Sequence, residues 1–170
     1  KNNTKFIPVD SEHFSIYSTI INHKKNEIDE IIITASGGPF LKYPLQKFNK
    51  IKPSMATSHP NWNMGAKISV DSATMMNKIF ELIEAKKIFN LDYKKIKILI
   101  HPKSYLHSIV KFNNATTKLL IHDPDMKIPI FNSIYENNKG YSKTTLDLKK
   151  INNLDLQKID LRRFPCLKLL

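Results

Sequence analysis

Two acidic residues, Asp10 and Glu12, stand two apart in IPVDSEH, and a third, Glu81, follows far downstream in NKIFELIE. Read as the end of a short strand over 5–9, the first pair points one way, because alternate residues of an extended segment share a face. Carboxylates that converge without Cys or His select a hard divalent cation, Mg²⁺ or Mn²⁺, over zinc. A plain surface strand end, with Asp10 capping the next helix, uses the same residues, and both readings stay open. A second polar set lies in HPNWNMGAKISVDSATMMNK. A helix opened there by Asp71 and Ser72 offers free N–H groups and a partial positive charge. Asn77 and Lys78, each beside Glu81 on the next turns, make that end a seat for phosphate or another anion. Ser36 adds a hydroxyl in a turn made by Gly37 and Gly38, a small nest of backbone amides. The alternatives are an ordinary strand-ending turn and a capped amphipathic helix whose Lys78–Glu81 pair is solvated and contributes roughly a few tenths of a kcal/mol.

The elements that must hold these residues follow from the hydrophobic pattern. After the strand over 5–9, a helical pattern runs from His13 to about Ile21, and 22–27 is a polar connection. Ile31–Thr34 is a buried strand that stops at Ser36-Gly37-Gly38-Pro39. Residues 40–58, with Pro44 and Pro53, read as loop with a short helical turn. A long helix spans Asp71 to Phe89, with Met76, Ile79, Phe80 and Ile83 as its buried stripe. Strands follow at Ile96–Ile100, Ser104–Phe112 and Thr116–Ile121, the first two joined through His101-Pro102. Pro124 and Pro129 bracket a turn and a helix, and from Asn132 the sequence is polar and weakly patterned. Trp62 and Met64 fall in the loop 59–65 with no period to bury them, although a lone Trp is more often core. The order predicts an α+β fold, a small mostly antiparallel or mixed sheet with helices on one face. No strand–GxGxxG–helix unit occurs, so the chain carries no dinucleotide-binding domain of its own.

Composition narrows the function classes. At 170 residues the chain suits one domain with a sizeable core, and it has no apolar run near the length of a membrane span and no leader pattern. The lone Cys166 excludes an internal disulfide framework and reads as a buried or linking residue. The net charge of +12 invites a nucleic-acid reading, but the basic residues are scattered Lys, with Arg only at 162 and 163. Arg is the usual reader of bases and of phosphates in bidentate geometry, so nucleic-acid binding is not expected.

HPNWNMGAKISVDSATMMNK, with PVDSEH at 8–13, TASGGPF at 34–40, LIHPKSYLHSIV at 99–110 and RRFPCLKL at 162–169, resembles the 1-deoxy-D-xylulose 5-phosphate reductoisomerase family. The resemblance implies conversion of that phosphorylated sugar to 2-C-methyl-D-erythritol 4-phosphate in the non-mevalonate isoprenoid pathway, with NADPH and Mg²⁺ or Mn²⁺. It implies Asp10, Glu12 and Glu81 as metal ligands and Ser11, Ser36, His59, Ser72, Asn77 and Lys78 as substrate-binding residues. Trp62 and Met64 match a covering lid, and Gly65 and Met126 match positions near the cofactor. Ser104 and His107 fall in a block that approaches the site, while His101 reads as structural. The family's arrangement makes 1–131 a central catalytic and dimerisation domain, and 132–170 a connection toward a helical domain. The nucleotide-binding domain that precedes the region and the helical domain that follows it lie outside this chain. Further expectations are a homodimer, no membrane partner, and a plastid or bacterial cytoplasmic location with plastid favoured by the Lys-, Asn- and Ile-rich composition. The connection at 22–27 is shorter than the family's usual one. The competing readings are a non-catalytic dimerisation and ligand-binding fragment and a lysine-rich nucleic-acid binder.

Overall fold

In the computed structural model, residues 4, 6–135, 140–141 and 147–170 are described. The β-branched run of Ile28–Ala35 (β1) forms the centre of a four-stranded sheet ordered β2-β1-β3-β4, with β2 at Ile96–Ile100, β3 at Leu106–Phe112 and β4 at Thr117–Ile121. β1 runs parallel to β2, with Ile33 opposite Ile98, and antiparallel to β3, with Ile31 opposite Val110. β4 pairs antiparallel with β3. The parallel pair needs a long crossover, and the chain between β1 and β2 supplies helices α2 (Pro53–Ala56), α3 (Ala66–Ala73) and α4 (Met76–Phe89). The sheet is mixed, as expected of an α+β fold.

One face of the sheet carries the main core. Ile28, Ile31, Ile33, Ile96, Val110 and Phe112 meet Ile16 of α1 (Ser11–Ile20) and Leu82 and Ala85 of α4. Side chains alternate across a strand, so Ile32 and Ile109 turn to the opposite face, where Leu154 packs with them. Beyond α5 (Lys127–Tyr135), that return segment includes α6 (Leu148–Ile151). It is tied down where the Tyr105 hydroxyl meets the carbonyls of Lys150 (2.6 Å) and Asn153 (2.8 Å). Farther on, Gln157 bridges to Ile100, and Phe164 and Leu167 close a second apolar cluster with Ile79 and Ile100.

Three expectations are corrected. Residues 6–9 join no strand, and Lys5 lies outside the described residues; Pro8 offers no N–H to a ladder, and the chain enters α1 directly with Asp10 as its N-cap. The single helix from Asp71 to Phe89 is two helices, because Met75 takes a left-handed backbone (φ 63°) between α3 and α4. Ser72 therefore lies in the last turn of α3 instead of opening a helix. The buried stripe of α4 is Lys78, Ile79, Glu81, Leu82 and Ala85, while Phe80 is 42% exposed. The polar pair is thus drawn into the interior by the break that precedes it.

The break is packed against the turn that ends β1. Gly38 has φ 61°, and a Cβ there would come within 2.9 Å of the Ser72 carbonyl oxygen and 3.0 Å of the Ala73 Cα. Only a residue without a side chain fits both the backbone and the space, and that close approach sets Ser36 beside Ser72. Gly38→Ala should therefore cost about 2 kcal/mol or more in denaturant unfolding. Gly65→Ala, where a Cβ meets nothing within 4 Å, should stay within about 0.5 kcal/mol. Equal effects at the two glycines would mean that the Gly38 contact does not shape the fold.

Candidate active site

The strand directions place the functional residues. The parallel strands β1 and β2 end at the same edge of the sheet, and the antiparallel β3 begins there. The turn 36–38, the turn 101–104, His107 and the start of α1 therefore gather around one crevice, the usual place for a site in a sheet with parallel strands. A cavity of about 260 Å³ lies there. Asp10, Ser11, Glu12, Ser36, His59, Trp62, Met64, Ser72, Asn77, Lys78, Glu81 and Met126 all line it. Gly65 does not; it is the exposed N-cap of α3.

Asp10, Glu12 and Glu81 each offer a carboxylate oxygen, and the three lie within 4.8 Å of one another. The first two converge through the first turn of α1, not through strand alternation, and a helix N-terminus favours negative charge. His13 ties this turn to α4: its Nε2 donates to the Glu81 carbonyl (2.9 Å), and its Nδ1 lies 3.3 Å from Asp10. Lys78 Nζ is bonded to Glu12 and reaches both oxygens of Glu81 at 2.9 and 2.7 Å. Asn77 donates to the same Glu81 carboxylate, and Ser11 Oγ donates to Glu12 at 2.5 Å. Both partners of the Lys78–Glu81 pair are buried, so the solvated-pair reading is excluded.

Burial and charge split the carboxylates. Desolvation works to raise Glu12, but the Lys78 ammonium overcomes it and holds Glu12 at about 2. Glu81 is pushed well above the usual carboxylate range, first by burial and then by Glu12. Asp10 is raised for the same two reasons. Lys78 stays protonated because its carboxylate neighbours outweigh its own desolvation. An all-oxygen donor set of this size fits a hard divalent cation. Asp10, Glu12 and Glu81, with one oxygen each inside a 4.8 Å span, are the residues that would hold it.

The hydrogen bonds around Ser36 have one direction. The amides of Asn61 and Trp62 both donate to His59 Nδ1, at 3.1 and 3.0 Å. The His59 proton therefore sits on Nε2 and is donated to Ser36 Oγ (2.8 Å), which also accepts from the Gly38 amide (3.0 Å). Burial, followed by the nearby Lys78 charge, lowers the His59 pKa and keeps the ring neutral. With its oxygen already accepting twice, Ser36 has its own proton free to donate to a ligand. Ser36, Ser72, Asn77 and Lys78 thus all bring donors to the cavity, those of Asn77 and Lys78 engaged with the carboxylates. Trp62 is half-buried, belongs to no core cluster, and stands edge-on to His107 with ring centroids 6.4 Å apart.

Thr34, Asn63, Ile68, Ser104, Leu106 and His107 also line the cavity. His122 was not anticipated at all: it stacks on His107 at 3.7 Å, and no motif in the sequence marks that contact. His101 is structural, fully buried, with Nδ1 donating to the Asp155 carbonyl at 3.1 Å.

Burial, chiefly, lowers His107 to about 4. A histidine with a depressed folded pKa contributes stability that is complete above its unfolded value and is lost as pH falls through the folded one. Stability should thus decline from about pH 6.5 to about pH 4. His59, His101 and His122, also lowered, act with the same sign, whereas the raised Asp10 and Glu81 oppose it. Comparing denaturation midpoints of wild type and His107→Gln across this range isolates the His107 share. An unchanged slope in the variant would show that His107 is not held neutral by the fold.

Family profiles and known relatives agree on what this arrangement belongs to. A profile described as the 1-deoxy-D-xylulose 5-phosphate reductoisomerase C-terminal domain matches residues 6–89, and one described as the DXP reductoisomerase C-terminal domain matches 121–170. The 1-deoxy-D-xylulose 5-phosphate reductoisomerase of Pelagibacter ubique is 62% identical over 171 residues, covering 100% of this chain and 44% of the relative. The Clostridium perfringens enzyme of the same name is 44% identical over 170 residues, 99% of this chain and 44% of its own length. These matches leave no room for a long insertion, so the short 22–27 connection is shared with them. Both relatives are bacterial and lend no support to a plastid location. A crystal structure of DOX-P reductoisomerase in complex with NADPH, fosmidomycin and magnesium superposes with a TM-score of 0.85 and 40% identity, over 96% of this chain and 43% of that one. The chain spans about 44% of the length of the curated relatives it matches. With the two profiles, the high identity and the superposed fold in agreement, the chain belongs to the 1-deoxy-D-xylulose 5-phosphate reductoisomerase family.

Proposed function

We propose that the protein containing this chain isomerises and reduces 1-deoxy-D-xylulose 5-phosphate to 2-C-methyl-D-erythritol 4-phosphate, using NADPH and Mg²⁺ or Mn²⁺, in the non-mevalonate isoprenoid pathway. One observation carries the reading: a trio of converging carboxylates and a set of donors, one cationic and the others neutral, line the same small cavity. The first suits a divalent cation, and the second suits a phosphate monoester. Asp10, Glu12 and Glu81 hold the cation, which when bound supplies Lewis acidity and a template for the substrate's oxygens. Ser36, Ser72, Asn77 and Lys78 bind the phosphate, His59 fixes the direction of the Ser36 hydroxyl, and Ser11 contacts the substrate backbone. A cation held there would compete with Lys78 for the oxygens of Glu12 and Glu81, which would leave its ammonium available to the phosphate. Trp62 and Met64 cover the reacting end and exclude water. Gly65 and Met126 face the nicotinamide cofactor, which a domain outside this chain holds. Residues 1–131 serve catalysis and homodimer contact, and 132–170 connect onward. The protein works in the bacterial cytoplasm.

Binding at the phosphate end positions the other end for reaction, so the two residue sets affect different constants. Glu81→Gln keeps shape and removes a carboxylate oxygen from the ligand set; it should lower substrate-dependent NADPH oxidation more than about 100-fold, the scale at which even the partners of metal ligands act. Lys78→Ala should chiefly weaken binding of the phosphorylated substrate, by about 10- to 100-fold. Normal turnover by Glu81→Gln would remove the metal assignment. A Lys78→Ala enzyme that loses equal affinity for substrates with and without phosphate would remove the phosphate assignment.

A further inference from the structure

The loop 59–65 covers the cavity, yet it contributes no residue to any of the three apolar core clusters formed by the described residues. Something other than hydrophobic packing must hold it. The amide nitrogen of Asn61 carries two hydrogens, and both find acceptors across the cavity mouth: the Pro102 carbonyl at 2.6 Å and Ser104 Oγ at 2.7 Å. The acceptors belong to the tight turn after β2, closed by the Ser104 amide donating to the His101 carbonyl at 3.0 Å. That turn is itself fixed, since the His101 amide donates to Ala35 of β1 (2.7 Å) and its ring to Asp155. Ser104 has φ 58° and is 8% exposed. A left-handed serine is disfavoured, and a backbone held in that region points to a task at the site.

On the loop side, Asn61 lies inside the hydrogen bonds that orient its neighbours. Its own amide and that of Trp62 donate to His59, and His59 donates to Ser36. A shift of Asn61 would therefore move His59 and Trp62 together. We propose that Asn61 is a positioning residue whose carboxamide, gripped by Pro102 and Ser104, holds the loop so that His59 stays on Ser36 and Trp62 stays over the cavity. Asn61 acts through those neighbours and needs no contact with substrate. The role it would serve rests on reading the cavity as the substrate site, but the anchoring itself does not.

The test uses the full-length protein, with any tryptophan other than Trp62 replaced. Asn61→Asp is nearly isosteric but presents an acceptor to the Pro102 carbonyl, which cannot turn into a donor. Acrylamide quenching of Trp62 without ligand should rise about twofold or more, as a loosened loop admits quencher. Affinity for inorganic phosphate, measured by calorimetry, should fall about fivefold or more as His59 leaves Ser36. The melting temperature should stay near that of wild type, because the loop lies outside the core. Ser104→Gly, which removes one acceptor and relieves the left-handed backbone, should be at least as stable and show a smaller shift in the same two readouts. If Asn61→Asp does not fold, Ser104→Gly decides. Wild-type quenching and phosphate affinity in both variants would overturn the assignment, and so would losses that merely follow the unfolded fraction. Absence of reductoisomerase turnover in the wild-type protein would refute the proposed function, while the quenching comparison would still decide the role of Asn61.

Discussion

The rest of the site depends on one electrostatic constraint: three carboxylates, two of them largely shielded from water, share a small volume with one ammonium. At 4.8 Å and an effective dielectric near 20, each pair of ionised carboxylates repels by about 3–4 kcal/mol. Lys78 offsets much of this because its ammonium bonds two of them directly. It does not offset all of it, and burial, with the charge of Glu12 added, leaves Glu81 and Asp10 with a raised affinity for protons. A divalent cation would meet the same deficit without protonation. The helices that carry these groups are kept together by forces independent of charge: the packing of Ile16 on Leu82 and Ala85, and the His13 bond to the α4 backbone.

That constraint explains which parts of the site were legible in the sequence. Residue type left a hard cation at Asp10 and Glu12, and a phosphate seat at Ser72, Asn77 and Lys78, open beside plainer readings; the family resemblance chose between them and added Glu81, and the fold brings both sets to one cavity. The four sheet strands were also legible, since runs such as IIIT and IKILI leave little doubt about a buried β segment. How the residues get there left no mark in the hydrophobic pattern. Hydrophobic periodicity scores Lys78 and Glu81 as solvent-facing, whereas mutual pairing lets both be buried. The stripe assigned to Phe80 was an error of the same origin.

The missed helix break has a different cause. Helix ends are read from glycine, proline and capping residues; the sequence around Thr74-Met75-Met76 has no glycine or proline, and its capping types, Asp71, Ser72, Thr74 and Asn77, are spread over seven residues without marking one boundary. Met75 adopts φ 63° because its side chain is buried, 2% exposed, and because Gly38 packs on the backbone just before it. Both causes are tertiary. Ser104 is a parallel case, a left-handed residue without glycine whose neighbours in space make the conformation useful. Hydrogen bonds such as those of Asn61 span some 40 residues and leave no local signature; they require the fold first.

Stability and site geometry are consequently held by different residues. Isoleucine-rich layers fix the strands and helices, and the strand ends deliver Ser36, Ser104 and His107 to the crevice without using core contacts of their own. The covering loop hangs on hydrogen bonds to two carefully oriented turns, one ending β1 and one ending β2. Because β1 and β2 are parallel neighbours, those turns keep a fixed separation set by the sheet. An antiparallel pair in the same place would put the two strand ends on opposite edges, and one loop could not reach both. The parallel pairing of β1 with β2 is therefore what allows the carboxylate trio, the donors beside Ser36 and their cover to meet in one cavity.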